Sequence, residues 1–243
     1  LFYAEGHIME NFVNTLNGYI WSNALILLAL GAGLFFSLKT RFVQIRLFKE
    51  MIRLLFSGAS SNKGISSFQA LSVSLSGRVG TGNIAGVAAA IGFGGPGAVF
   101  WMWIVAFLGA STAYIESTLG QIYKEEQDGE YRGGPAYYIE KAMGAKWFAW
   151  IFAIAIIVAN GILLCGVQAN SIGNAVELAL GGGKTVDTFF GPLSSIKIST
   201  AIVVLILLAF IVFGGVKRIA NVTQVIVPFM ALAYIIIALT IIG

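Results

Sequence analysis

Residues 76–86 read SGRVGTGNIAG, inside a run that is otherwise apolar and of helix length. Four glycines, a threonine, an asparagine and an arginine are ill suited to a helix facing lipid. Non-helical backbone survives at membrane depth only where protein or a water-filled cavity satisfies its polar groups. The stretch therefore predicts a transmembrane helix broken around a small solute or ion, as secondary transporters break theirs. A break exposes carbonyls at one new end, here from Gly77 to Gly80, and amides at the other. Carbonyls suit a bare cation, and amides suit a carboxylate. Gly80 and Gly82 permit close approach of backbone to ligand, while Thr81 and Asn83 add short neutral groups that can orient a zwitterion. The competing reading is that the glycines only let helices cross closely. That accounts for Gly77 and Gly86, but it does not ask for Arg78 and Asn83 beside them.

The rest of the chain supports a membrane setting. Of 243 residues, 58% are hydrophobic and 11% charged, and the mean hydropathy is +0.86. Soluble domains carry about 25% charged and about 45–50% apolar residues. A net charge of +4 does not indicate nucleic acid, because the basic residues fall in gaps between apolar segments. The sequence holds one cysteine, Cys165, and one histidine, His7, too few for a disulfide or a metal cluster. Gly80, Gly82 and Gly86 miss the last spacing of a dinucleotide fingerprint, and no phosphate-loop motif is present. No basic stretch opens the chain, so a signal peptide is not expected.

An all-α, polytopic membrane fold follows, with six segments long enough to cross about 30 Å of hydrocarbon: roughly 19–38, 65–92, 98–123, 148–175, 198–213 and 221–242. The fourth is long enough to require tilt or a break. Lys39, Arg41, Arg46, Lys49, Arg53 and Lys63 follow the first span; Lys124, Arg132, Lys141 and Lys146 the third; Lys217 and Arg218 the fifth. The alternate side receives only Lys184 and Lys197. This asymmetry places the richer connections in the cytoplasm and the N-terminus outside. Residues 40–56 space Phe42, Ile45, Phe48, Ile52 and Leu55 against a basic face, predicting a helix in the cytoplasmic interface; an ordinary packing helix fits as well. Gly133-Gly134-Pro135 marks a turn before a short helix over 136–143. Trp101, Trp103, Trp147 and Trp150 sit near span ends and read as interface anchors.

Polar residues within spans are the remaining candidates. Arg78 and Glu116 lie deepest in apolar surroundings and could pair to pin two helices; Glu116 could instead serve a proton or cation path. Gln168, Asn160, Asn170 and Asn174 interrupt the fourth span. Gln168 shares a face with Cys165 and Ser171 and is the first choice as a ligand, with interhelical hydrogen bonding the alternative. Cys165 is read as a small buried apolar filler.

GRVGTGNIAGVAAAI (77–91), GGPGAVFWMW (94–103) and the continuation IVAFLG (104–109) strongly resemble the sodium:alanine, or alanine/glycine:cation, symporters. TRFVQIR, YRGGPAYYIEKAMG and VQANSI are similar to that family as well, so the resemblance covers nearly the whole chain. It implies coupling of sodium entry to uptake of alanine, glycine or related small neutral amino acids across the prokaryotic plasma membrane. Sodium would be the coupling ion, met by carbonyls around Gly77 and Gly80, with no other cofactor. The fold it implies is an extra N-terminal helix (19–38) followed by the inverted-repeat core of the leucine-transporter type. Gly80, Thr81, Gly82 and Asn83 would line the amino-acid site, and Gln168 would face it from the third core helix.

Symporters of this kind have about eleven spans, whereas this sequence offers one plus five. The chain thus divides into residues 1–64, the extra helix with its interfacial helix, and 65–243, a first five-helix repeat. The second repeat, sharing the site, is expected in the same polypeptide. A channel using the same broken helix, or a non-transporting membrane scaffold, are the other classes open to these residues. No clustered nucleophile, base and metal ligands suggest an enzyme.

Overall fold

The computed structural model describes residues 2–57, 64–127, 129–188 and 191–242; Leu1, Lys63 and Gly243 lie outside them. In chain order come α1 (Phe2–Ile20), α2 (Asn23–Lys39), α3 (Val43–Arg46), α4 (Phe48–Phe56) and α5 (Ser67–Arg78). A π-helical turn at Gly82–Gly86 leads into α6 (Val87–Gly94), and α7 (Gly97–Ile122) follows. After strands β1 (Glu125–Gln127) and β2 (Glu130–Arg132) come α8 (Pro135–Met143) and α9 (Lys146–Ile156). A π-helical segment, Ile157–Leu164, joins α9 to α10 (Cys165–Leu180). The chain closes with β3 (Thr185–Thr188), β4 (Gly191–Ser194), α11 (Ser195–Val212) and α12 (Gly215–Ile242).

Helices dominate as expected, with two short antiparallel hairpins, β1–β2 and β3–β4, added in the connections. Among the described residues five helices, not six, are long and apolar enough to cross a membrane. They cover Glu10–Lys39, Gly97–Ile122, Lys146–Leu180, Ser195–Val212 and Gly215–Ile241. The expected second span, 65–92, fails that criterion because it is divided: α5 and α6 are separate pieces on either side of the glycine-rich stretch. The expected helix over 40–56 is likewise two pieces, α3 and α4, separated at Leu47. α1, ahead of the first expected span, was not anticipated, because polar residues interrupt its apolar positions.

Side-chain placement is the reverse of a soluble core. Among the described residues the buried apolar ones are Val43, Ile139, Ala149, Ala220 and Val227, whereas Ser37, Ser72 and Ser111 are also buried. Large apolar side chains such as Phe93, Phe213 and Leu178 face outward. In lipid, apolar surface has no reason to hide, and helices associate through small residues and interhelical hydrogen bonds. The α2–α7 contact is built that way. Gly33 lies against Leu108, where an added Cβ would come 3.0 Å from the Leu108 Cβ. Ser37 Oγ donates to Ser111 Oγ at 3.0 Å, and the Ser111 hydroxyl is shared between the carbonyls of Leu108 (2.8 Å) and Gly33 (3.0 Å).

Two further junctions position the broken helix. α5 starts at a capping box: Ser66 Oγ accepts from the Gln69 N–H at 3.2 Å, and Gln69 Oε1 accepts from the Ser66 N–H at 2.9 Å. Each bond satisfies a donor that the first turn leaves without an intrahelical partner. Gln69 Nε2 then donates to Asn221 Oδ1 at 2.8 Å, tying α5 to the early turns of α12. Pro228 lies inside α12, where it removes one backbone donor and crowds the preceding turn.

Candidate functional site

The site grows out of the end of α5. The Val79 N–H closes the final helical bond to the Leu75 carbonyl at 2.9 Å, and Val79 itself is extended at φ −100° and ψ 107°. Carbonyls of a terminal turn have no intrahelical donor left to meet them, so this end presents oxygen. The chain resumes helical geometry at Thr81, and the Asn83 N–H donates back to the Gly80 carbonyl at 3.0 Å. The break therefore comprises Val79 and Gly80, followed by Thr81 and the wider π-helical turn. Such turns leave backbone groups displaced from regular α-helical pairing and recur at functional sites.

Gln168 of α10 reaches this break. Its Oε1 accepts a hydrogen bond from the Thr81 backbone N–H at 3.3 Å. The close approach explains the glycine: a Cβ on Gly80 would lie 2.5 Å from Gln168 Nε2. Gly80, Thr81 and Gln168 are thus brought together as a unit. Gly82 and Asn83 are exposed, and nothing lies within 4 Å of a Cβ placed on Gly82. Among the described residues neither the Thr81 hydroxyl nor the Asn83 amide has a recorded partner. Both are left able to meet a ligand. Both groups are neutral and add no fixed charge to the break.

Gln168 follows the π-helical segment Ile157–Leu164, within which the expected fourth span loses its regular repeat. Cys165 Sγ contacts the Asn160 carbonyl at 3.1 Å across five residues, in keeping with that wider turn. Cys165 is exposed rather than buried, which corrects its reading as a core filler. Asn160, Asn170 and Asn174 are exposed too, and Asn170 lines a groove of about 370 Å³ between α10 and α11. Lys197 and Glu177 join those two helices by an ion pair at 3.1 Å. The sequence signals that contact only through Gly173, which lies against the Lys197 stem.

Arg78 and Glu116 do not form the pair that their depths suggested: no ion pair between them is recorded among the described residues, and both are exposed. They instead line one cavity of about 360 Å³, with Gln121, Lys124 and Tyr131 on its wall. Burial, and then the nearby Glu116 carboxylate, push the Tyr138 hydroxyl above its ordinary pKa. On the same side of the molecule, Lys141 reaches Glu125 at 2.8 Å and holds its carboxyl below the usual range. Among the described residues no group of three His, Cys, Asp or Glu side chains gathers to hold a metal ion.

Residues 6–243 match the sodium:alanine symporter family. The chain is 57% identical over 234 residues to YrbD of Bacillus subtilis, covering 96% of this chain and 46% of YrbD. It is 46% identical over 235 residues to the amino-acid carrier protein AlsT of the same organism, covering 95% of this chain and 48% of AlsT. To the sodium/alanine symporter AgcS of Methanococcus maripaludis it is 38% identical over 241 residues, covering 96% and 50%. The chain spans about half the length of these curated relatives. A helix broken at glycines, an opposing glutamine and an apolar exterior agree with a match that runs nearly from end to end, and the chain belongs to the sodium:alanine symporter family, a family of transporters rather than enzymes.

Proposed function

We propose that this chain is the N-terminal half of a sodium-coupled symporter that carries small neutral amino acids, alanine or glycine, into a prokaryotic cell. The observation that carries the reading is the contact of Gln168 with the Thr81 amide and Gly80 at the helix break. The Thr81 hydroxyl and the side-chain amides of Asn83 and Gln168 meet the solute's polar atoms, and the close approach of Gln168 to Gly80 limits the side chain to a small one. Carbonyls at the end of α5, from Gly77 to Gly80, offer sodium the oxygen ligands it requires. α5 and α6 with their break act as one divided span, making six with the five long apolar helices. Residues 1–64 supply the extra helix and the interfacial segment, and 65–243 the first repeat of an inverted pair. Its counterpart lies in the remainder of the polypeptide, and solute moves by alternating access as the two units shift around the shared site. The twelve basic residues on one set of connections place those connections in the cytoplasm, and the N-terminus outside.

The test is sodium-dependent binding of alanine to the full-length protein. Asn83→Ala and Gln168→Ala each remove a polar partner, a loss of about 1–3 kcal/mol, so affinity should fall by roughly fivefold to a hundredfold. The protein should remain in the membrane. Unchanged affinity in both variants would remove these residues from the site. Ion flux without solute binding would favour a channel, and neither would leave a structural role.

A further inference from the structure

α2 ends at Lys39, where the first continuous apolar helix stops, and the chain then turns through an unusual geometry. Arg41 and Phe42 both adopt left-handed backbone, φ 54° and 52°, a region that side chains other than glycine rarely occupy. Packing and hydrogen bonds hold the turn. The Phe42 N–H donates to the Ser37 carbonyl at 2.7 Å, and Gln44 Nε2 donates to Ser37 Oγ at 3.1 Å. Val43 is buried. α3 is therefore pinned at the end of a membrane-length helix, which fixes the level at which α4 leaves the bundle.

α4 has no buried residue. Phe48, Met51 and Ile52 recur at three- and four-residue spacing and are 57%, 55% and 42% exposed. Arg46, Lys49 and Arg53 recur at the same spacing on another side. Glu50, the one acid in α4, is paired with Arg53, and among the described residues Arg46 and Lys49 have no recorded ionic partner. An apolar face and a basic face at the end of a membrane helix match an acyl boundary below an anionic headgroup layer. We propose that α3 and α4 form a binding surface for anionic phospholipid, with Arg46, Lys49 and Arg53 on the headgroups and Phe48, Met51 and Ile52 in the acyl boundary. Charge complementarity and continuity with the α2 span select the lipid layer as occupant.

The full-length protein, reconstituted in nanodiscs of phosphatidylcholine doped with phosphatidylglycerol, provides the test. Spin-labelled analogues of the two lipids report relative occupancy at the protein surface. Phosphatidylglycerol should be preferred at low salt, and at molar salt, where screening acts within about 3 Å, the preference should collapse. Each basic residue beside an anionic surface contributes about fivefold in affinity, so the triple change Arg46→Gln, Lys49→Gln, Arg53→Gln should lower the preference at least about fivefold. The same number of charges removed at Lys124, Lys146 and Lys217 should lower it less. The proposal is overturned by a wild-type protein with no preference, by a preference indifferent to salt, or by equal losses in the two triple variants. None of these readouts involves solute, so they stand apart from any result on the transport site.

Discussion

Gly80→Ala probes the contact between the broken helix and α10 most directly. Gly80 is not among the residues with left-handed backbone, so alanine can adopt its conformation. What it cannot do is leave Gln168 in place: the new methyl meets Nε2 at 2.5 Å, Cδ at 3.3 Å and Oε1 at 3.4 Å. The obstructing atoms end a flexible side chain, which can swing aside. Doing so gives up the bond from the Thr81 N–H, 3.3 Å long and half-buried at both ends. A bond of that length, with water able to replace it in part, belongs near the lower end of the range, about 1–1.5 kcal/mol. Alanine affinity should fall by roughly fivefold to tenfold. The assay is a double-mutant cycle on sodium-dependent alanine binding to the full-length protein. Gln168→Ala removes both the bond and the obstruction, so Gly80→Ala added to it should change affinity little. If the two losses instead multiply, the methyl acts on something other than Gln168, and the geometric argument fails. Gly31→Ala, in α2 away from the break and with open space around its Cβ, serves as the folding control.

Three more outcomes follow from separate parts of the molecule. Ser111→Ala should cost about 1–2 kcal/mol by leaving the α2–α7 contact without its buried hydroxyl, read as a lower thermal midpoint in detergent; Gly33→Val, driven against the Leu108 backbone at 3.2 Å, should cost more. Lys141 keeps the Glu125 carboxyl below its ordinary range, so that pair supports the β1–β2 connection at neutral pH and loses its effect as pH falls past the unfolded carboxylate pKa and through the lower folded one. Protection of the β1 and β2 amides, taken relative to the intrinsic exchange rate at each pH, should then fall in acid, and Lys141→Gln should abolish that dependence. On a Cys165→Ser background, Gly129→Cys should be shielded from an impermeant thiol reagent in intact cells while Lys184→Cys labels; labelling of Gly129→Cys from outside would reverse the orientation.

Much of the architecture was legible because apolar length and glycine placement are strong local signals. A run of 26 residues such as α7 has few alternatives in lipid, and Gly77, Gly80, Gly82 and Gly86 mark the region of the break from local sequence alone. Gln168 was legible because an amide amid apolar residues must be answered by something. What faced it, the Thr81 amide, depends on tertiary approach and leaves no trace in local sequence beyond the need for Gly80. Apolar neighbours imply burial in water-soluble proteins, whereas around Cys165 they face outward with it. Arg78 and Glu116 were judged by depth along their helices, which says nothing about the loop from Arg132 to Pro135 that shapes the cavity between them. The hairpins escaped notice because strands of three or four residues carry too little alternation to register.

The bond between Gln69 and Asn221 carries a mechanical consequence. It anchors the base of α5 to the segment of α12 that precedes Pro228, like a tie rod fastened below a joint. Tilting α5 must drag those early turns of α12 along or break a 2.8 Å bond. The proline, by withholding one backbone donor, lowers the resistance to bending just beyond the anchor. The lower arm of α12 can accordingly follow α5 while the upper arm keeps its own course through the bilayer.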